Sequence, residues 1–470
     1  MNGHFLIQTL GCKLNQLESE AAADAFIQAG FRQLTINSEK LNETGAECPP
    51  DVAVINTCTV TSKADQKARR VIRKMLRDYP DSCVIVTGCY AQLNRNDLLG
   101  LDTGKKRRLF VVNKDKLPEI INSLDTQHSA LEILSALLTE RLTSNASRAP
   151  GAPFAFNPKR FTRHTRSFLK IQDGCDKNCA YCRVRLARGP SISLDSREVL
   201  SRLKILEKTH AEAVLTGVNI CQYRDNTLSN NEQITERGLT ELLEYLLDGT
   251  EKICLRLSSL EPDYIDDKLL NILTNKRIRP HFHLSIQSGS GFILNKMGRL
   301  YNGKTVENAV NLLRSAKEDP FLACDIIAGF PGETDTEFAE TLNICKEMDF
   351  AWIHVFPYSK RPGTSAFSFN GAVRENEITE RVKILNDLAF LGRERYVKRS
   401  LGREVDALVE MGTAYGEECE ARYCRGISEN YLKLRIRYQG ENAPAAGTVL
   451  RCKLLETGNF DDYDAVGEAI

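Results

Sequence analysis

The decapeptide DGCDKNCAYC, residues 173–182, sets Cys175, Cys179 and Cys182 apart by three and then two intervening residues. Four thiolates suit a tetrahedral structural zinc, and three with an open position suit a catalytic zinc. Closely spaced cysteine runs also hold iron–sulfur clusters. A 4Fe–4S cluster on three ligands leaves one iron for a substrate or cofactor, so spacing alone leaves zinc and iron both open. A second trio is hidden by sequence separation. Cys12, Cys58 and Cys89 each end an apolar run: HFLIQTLGC, VAVINTC and VIVTGC. The other cysteines, Cys48, Cys83, Cys221, Cys254, Cys324, Cys345, Cys419, Cys424 and Cys452, match no ligand motif. They are assigned to packing or surface, with a zinc site at Cys419 and Cys424 as the weaker alternative.

The elements that would carry these thiols follow from hydrophobic periodicity. The three apolar runs read as buried strands entering polar or glycine-containing turns. Between the last two, KADQKARRVIRKMLRDY spaces Ala64, Ala68, Val71, Ile72 and Met75 as one helical face. Strand–helix alternation implies an open parallel sheet. Binding crevices in such sheets lie at the strands' carboxyl ends, where three distant cysteines can converge.

From 124 to 165 the composition turns to Ser, Ala, Pro and Gly and then to basic residues, as expected of a linker. A second alternating region runs over 166–398, with strands FLKIQ, AVLT, CLRLS, FHLSI, LACDII and IHVFP. Helical segments lie between them, such as SREVLSRLKILEKTH with Ser196 as N-cap. Six strand–helix units predict a partial (β/α)6 barrel with its site at the strands' carboxyl ends. From 399 to 470, EVDALVE, YLKLRIRY and TVLRCKLL read as strands, with Leu432, Leu434 and Ile436 alternating against Lys433, Arg435 and Arg437. A small all-β barrel is expected there. The fold class is thus α/β in 1–123 and 166–398, followed by an all-β end.

Bulk composition narrows the class. The chain has 470 residues, 42% hydrophobic and 27% charged, and a net charge of +1. That is a globular balance. No uninterrupted apolar run is long enough to span a bilayer, which predicts no membrane association. The N-terminal MNGHFLIQTLGCKLNQ lacks a basic region and a long apolar stretch, so it does not read as a signal peptide and a cytoplasmic location is expected. In that compartment 15 cysteines stay mostly reduced, and clustered ones point to metal or redox chemistry. Basic runs occur at KARRVIRK, at GKKRR (104–108) and at KRFTRHTRSFLK. Each alone is an ordinary solvated face, but three of them beside a small β-barrel favour an RNA surface.

CDKNCAYC resembles the C-x3-C-x-aromatic-C signature of radical S-adenosylmethionine (SAM) enzymes. TLGCKLNQLESE, VINTCTVTSKAD, VTGCYAQ, VLTGVN, RLSSLEP, QSGS, IAGFPGET, VFPYSKRPGT and GISENYLKLRI resemble, in order, the signatures of the radical SAM methylthiotransferases. The resemblance implies a methylthiotransferase N-terminal domain, a radical SAM core and a C-terminal TRAM domain. It implies two 4Fe–4S clusters, one on Cys175, Cys179 and Cys182 with SAM on the fourth iron, and an auxiliary one on Cys12, Cys58 and Cys89. Tyr181 takes the aromatic position near the adenine. Thr216, Gly217, Ser258, Glu261 and Gln287 become SAM neighbours, although each polar one could instead cap a helix and Gly217 could simply permit a turn.

In the family's scheme the first cluster cleaves SAM reductively to a 5′-deoxyadenosyl radical. The auxiliary cluster presents or donates sulfur, and a second SAM supplies the methyl group. An aromatic C–H is too weakly acidic for an ordinary general base, which is why a radical is needed. GCKLNQLESE and NTCTVT look most like the branch that methylthiolates N6-threonylcarbamoyladenosine beside the tRNA anticodon. The rivals are the N6-isopentenyladenosine branch and one that modifies an aspartate of a ribosomal protein. A non-catalytic RNA-binding protein with structural zinc is the alternative from another class. The resemblance also implies an electron donor such as flavodoxin or ferredoxin. The chain departs from the family after Cys182, where RVRLARG carries Arg183 and Arg185 in place of aliphatic residues and a proline. The 401–470 segment is acidic in balance, unlike a generic RNA binder.

Overall fold

The computed structural model describes residues 3–34, 49–104, 108–122, 152–155, 157–158, 161, 164–225, 238–411, 415–418, 421–440 and 442–470. It contains two compact units. The first is Met1–Thr162 with Asp173–Cys175 and Cys182–Pro190; the second is Arg163–Gln172, Asp176–Tyr181 and Ser191–Ile470. Among the described residues no helix is long and apolar enough to cross a membrane.

The first unit is built on five strands: β1 (His4–Thr9), β2 (Arg32–Leu34), β3 (Val52–Thr57), β4 (Cys83–Gly88) and β5 (Leu109–Val111). They pair in the order β2-β1-β3-β4-β5, all parallel. Every residue of β3 and β4 is buried, as expected when helices cover both faces. Alternate residues feed the two faces. Phe5, Ile7, Val54 and Ile85 pack with Ala22 and Phe26 of α1 (Lys13–Gln28). Leu6, Ala53, Ile55 and Val86 pack with Ala68, Ile72 and Met75 of α2 (Ser62–Asp78), the face predicted from sequence. Thr61 caps α2 by accepting from the Ala64 amide at 3.1 Å, satisfying one orphan N–H. Cys83 lies in this core, as assigned.

One residue of a basic run, Arg108, serves the fold. Arg108 donates to the carbonyls of Leu76 (3.0 Å) and Tyr79 (2.9 Å) and so closes the end of α2. Residues 105–107 of that run lie outside the described residues, as do Cys48, Cys419 and most of the predicted linker. Phe154 and Phe161, within that linker, are buried.

In the second unit, β6 (Ser167–Lys170), β7 (Glu212–Thr216) and β8 (Cys254–Leu257) form one parallel sheet. A second comprises β9 (His281–Gln287), β10 (Phe321–Ala328) and β11 (Trp352–Pro357). A parallel bridge between Leu260 and Leu284 joins the two, giving six strands in chain order, the predicted partial barrel. The helix after the first turn starts where expected, but its N-cap is Asp195. The Asp195 carboxylate accepts from the Arg197 and Glu198 amides, while Ser196 is the first helical residue. An aspartate one residue earlier leaves Ser196 nothing to cap.

The end of the chain is a closed β-barrel of β12 (Glu404–Val409), β13 (Tyr415–Glu418), β14 (Ala421–Ser428), β15 (Lys433–Tyr438), β16 (Val449–Thr457) and β17 (Ala465–Ala469). The order is β12-β16-β17-β15-β14-β13, closed by β12 on β14. Leu432, Leu434 and Ile436 point into its core, as read from their alternation, and Cys424 and Cys452 fill it. Arg435 stacks on Tyr423, with 4.0 Å from its guanidinium carbon to the ring centroid, and Arg437 faces Glu468.

Glu212 of β7 ties this barrel to the strands. It accepts from Arg256 (2.7 and 3.0 Å) and Arg279 (3.0 Å), while Arg256 also reaches the Ser428 carbonyl and Arg279 lies near Asp406 and Glu429. Burial raises the Glu212 pKa, but the two arginines overcome that and hold it at about 2 against an ordinary 4.5. The carboxylate's contribution is therefore complete above pH 4.5 and lost as pH falls from 4.5 towards 2. Glu212→Gln takes the paired carboxylate from buried Arg256 and one of three nearby acids from Arg279, and is expected to cost about 3–5 kcal/mol at pH 7. Urea unfolding should show this loss, and the variant should decline less steeply than wild type across that acid window.

Candidate functional site

Cys58 and Cys89 follow β3 and β4 immediately and Cys12 lies three residues past the end of β1, all at one edge of the parallel sheet. β1 and β3 flank the point where the strand order reverses, the usual ligand crevice of such sheets. The motifs around the cysteines are a hydrogen-bond frame. Asn15 donates to the carbonyls of Leu10 (2.9 Å) and Thr57 (3.0 Å) and to Asn56 Oδ1 (3.1 Å). Asn56 returns a bond to the Asn15 carbonyl at 2.9 Å, so the Cys12 and Cys58 loops are clamped to each other. Thr57 Oγ1 donates to the Thr87 carbonyl (2.6 Å) and accepts from the Ala91 amide (3.2 Å), which ties in the Cys89 loop. Gly88 has φ +94°, and a Cβ there would stand 2.4 Å from the Thr57 carbonyl oxygen.

The three thiols act on one another electrically. Burial pushes the Cys58 thiol up to about 11, with the charges of Cys12 and Cys89 adding to the rise. Cys12 is exposed as a residue, but protein crowds its thiol. That crowding raises its pKa, Arg188 opposes the rise and Cys89 adds to it. Such thiols stay protonated at neutral pH until a metal displaces the proton.

Beside them lies an ionic group that sequence reasoning missed. Arg188 ends α3 (Val184–Arg188) and bonds Glu18 and Asp173 at 3.0 and 3.1 Å, and Lys114 lies 3.0 Å from Asp173. The residues that depart from the family pattern are accommodated: Arg183 reaches Thr59 and Asn94 at 3.4 Å each, and Arg185 is exposed. Three thiols on strand ends beside a buried guanidinium make a donor set that fits a 4Fe–4S cluster.

Of the other triad, Cys175 and Cys182 belong to the first unit and Cys179 to the second. In the first, the Cys175 amide donates to the Gly189 carbonyl (3.1 Å), and the Cys182 sulfur accepts from the Val184 amide (3.4 Å). In the second, Ala180 is fixed by backbone bonds to Met297 and Ala366.

The predicted SAM neighbours all lie in the second unit, five of them at or just beyond strand carboxyl ends. Thr216 ends β7 and Gly217 follows it, Ser258 and Glu261 follow β8, and Gln287 ends β9 with a positive φ of 71°. Tyr181 and Glu261 are brought together by Arg299, absent from the sequence reading. Arg299 donates to Glu261 (2.6 Å) and to the Tyr181 hydroxyl (2.9 Å). Lys177 pairs with Glu261 at 2.5 Å. Arg299 Nε is buried without a partner among the described residues, as fits a ligand-facing donor. Its place in MGRLYN, just past a strand-end helix, was the only signal. Glu261 caps no helix with its side chain, which removes that alternative for it. Cys221 accepts from the Glu261 amide at 3.3 Å, a packing role as assigned.

Gly88→Ala is expected to cost about 1–3 kcal/mol from backbone strain alone and to splay the strand ends bearing Cys58 and Cys89. Iron analysis after reconstitution should find about half the parent's content. A full complement in the variant would contradict the frame described above.

Comparison with known proteins agrees with this arrangement. Residues 4–107 match the model of Uncharacterized protein family UPF0004, and 169–345 match the Radical SAM superfamily. The threonylcarbamoyladenosine tRNA methylthiotransferase of Treponema pallidum is 38% identical over 96% of this chain and 98% of its own length. Its Bacillus subtilis counterpart is 32% identical over 96% and 93%. The tRNA-2-methylthio-N(6)-dimethylallyladenosine synthase of Anaplasma marginale is 27% identical over 96% and 94%. With 38% and 32% identity running nearly end to end, the chain belongs to the family of radical SAM methylthiotransferases that these tRNA enzymes represent.

Proposed function

We propose that this protein adds a methylthio group to C2 of N6-threonylcarbamoyladenosine at position 37 of tRNA, acting on the anticodon loop. The observation that carries this reading is the pair of cysteine trios in a chain similar over nearly its whole length to threonylcarbamoyladenosine enzymes. The dimethylallyladenosine enzyme is the more distant relative, at 27% identity. Cys175, Cys179 and Cys182 would hold the SAM-binding 4Fe–4S cluster, and Cys12, Cys58 and Cys89 the auxiliary one. When bound, the first group would supply reductive SAM cleavage and the second would present or donate the sulfur.

The chain's own residues do the rest. Asn15, Asn56 and Thr57 fix the auxiliary thiols, and Tyr181, Glu261 and Arg299, with Thr216, Gly217, Ser258 and Gln287, orient SAM. Lys63, Lys67, Arg70 and Arg73 lie exposed along α2 and offer phosphate contacts. Arg166, from the third basic run, serves the fold: its guanidinium packs over the Tyr431 ring at 5.1 Å. The domain division 1–123, 124–165, 166–398 and 399–470, an electron donor such as flavodoxin or ferredoxin, and a cytoplasmic location complete the proposal.

Comparing tRNA nucleosides from cells with and without the gene tests it. The 2-methylthio-threonylcarbamoyl nucleoside should vanish in the deletion strain, and its persistence would refute the assignment. Anaerobically purified protein should carry about eight irons, whereas a zinc-only protein would favour a non-catalytic RNA binder. Replacing Cys12, Cys58 and Cys89 with Ala should remove one cluster and abolish methylthiolation while leaving SAM cleavage, read as 5′-deoxyadenosine.

A further inference from the structure

Arg188 is 2% exposed, and its hydrogen bonds fan out in a fixed pattern. Nε donates to the Cys89 sulfur at 3.3 Å. Nη1 donates to Glu18 Oε1 (3.0 Å) and Asp173 Oδ1 (3.1 Å); Nη2 donates to Asn15 Oδ1 (3.3 Å) and Glu18 Oε2 (3.4 Å). The two-pronged contact with Glu18 sets the plane of the guanidinium, and that plane aims Nε at the sulfur. Charge neutralisation alone does not require this. Lys114 already stands 3.0 Å from Asp173 and 3.9 Å from Glu18, so both acids have a second cation. What only an arginine adds is a planar fork with one N–H left over for Cys89. Asn15, which helps hold the fork, is also the residue that clamps the Cys12 and Cys58 loops.

We propose that Arg188 is a positioning residue for the auxiliary cluster: it donates Nε–H to the Cys89 sulfur and sets its charge beside that ligand, raising the cluster's reduction potential. A hydrogen bond to a ligand sulfur and a nearby cation both favour the more electron-rich, reduced state. The inference rests on the assignment of Cys12, Cys58 and Cys89 as the auxiliary ligands.

The test uses the full chain with Cys175, Cys179 and Cys182 replaced by Ala, reconstituted anaerobically with iron and sulfide. Absence of a cluster in that parent would refute the ligand assignment itself, independently of Arg188. With a cluster present, its midpoint potential is read by redox titration followed by electron paramagnetic resonance. Arg188→Gln should shift the oxidised-to-reduced ratio at the parent's midpoint at least tenfold towards oxidised, about 59 mV for one electron. Arg188→Lys keeps the charge without the fork, and should shift the potential in the same direction by less. Glu18→Gln loosens one of the contacts that aim Nε while Asp173 and Asn15 still hold the fork, and it removes a negative charge, so any fall in its midpoint should be smaller than that of Arg188→Gln. A parental midpoint in Arg188→Lys, or a fall in Glu18→Gln equal to that in Arg188→Gln, overturns the proposal. The lysine variant decides should the glutamine variant fail to fold.

Discussion

All five strands of the first sheet run the same way, so every loop leaving a strand's carboxyl end emerges at one edge. That single directional constraint lets cysteines at positions 12, 58 and 89 meet at all. The order β2-β1-β3-β4-β5 adds the second ingredient. Successive connections leave β1 and β3 towards opposite sides of the sheet, opening a crevice between two loops that each carry a thiol. An antiparallel sheet of the same sequence length would send alternate loops to opposite edges and disperse the trio. The buried Asn15 follows from the same geometry. Backbone carbonyls at the strand ends lack ladder partners, and Asn15 satisfies those of Leu10 and Thr57 from the side.

Charge is the next constraint. Glu18 and Asp173 are buried beside Arg188 and Lys114, two anions against two cations. An ionic group this deep persists only when each member is paired and hydrogen-bonded, because desolvation otherwise outweighs attraction. Asp173 immediately precedes the segment holding Cys175, and Arg188 closes the helix after Cys182. Within the first unit, the stretches that carry Cys175 and Cys182 are therefore held by the same ionic group that borders Cys12 and Cys89.

The strands were legible because their signal is local: runs such as VAVINT and CVIVTG are apolar throughout and end in polar or glycine-containing turns. The helical face of α2 was legible for the same reason. The six cysteines could be singled out because thiols after strand ends are chemically conspicuous. β2, β5, β13, β14 and β17 were not read. β2 and β5 are three residues each, too short for periodicity, and β17 (AVGEA) carries a glycine and little alternation. Arg108, Arg188 and Arg299 were illegible for another reason. Each sits among or near basic or polar residues, and its role is defined by partners distant in sequence. Nothing local separates a capping or buried arginine from a solvated one.

Left-handed backbone marks both sites. Gly11 (φ +118°) and Gly88 (φ +94°) turn the chain out of β1 and β4 beside Cys12 and Cys89, where glycine adopts that conformation without strain. At the end of β9 the same turn falls on Gln287, at φ +71° and nearly buried. A glycine would adopt this backbone more cheaply; a glutamine bears a cost of about 1–3 kcal/mol. Strain of that kind persists only where the surroundings enforce it, and it concentrates where a side chain must face a ligand. The strand end that holds Gln287 belongs to the same barrel rim as Thr216, Ser258 and Glu261. The strained backbone at Gln287 falls where the pairing of β9 with β10 shifts register between Leu284 and Gln287, so the rim itself enforces it.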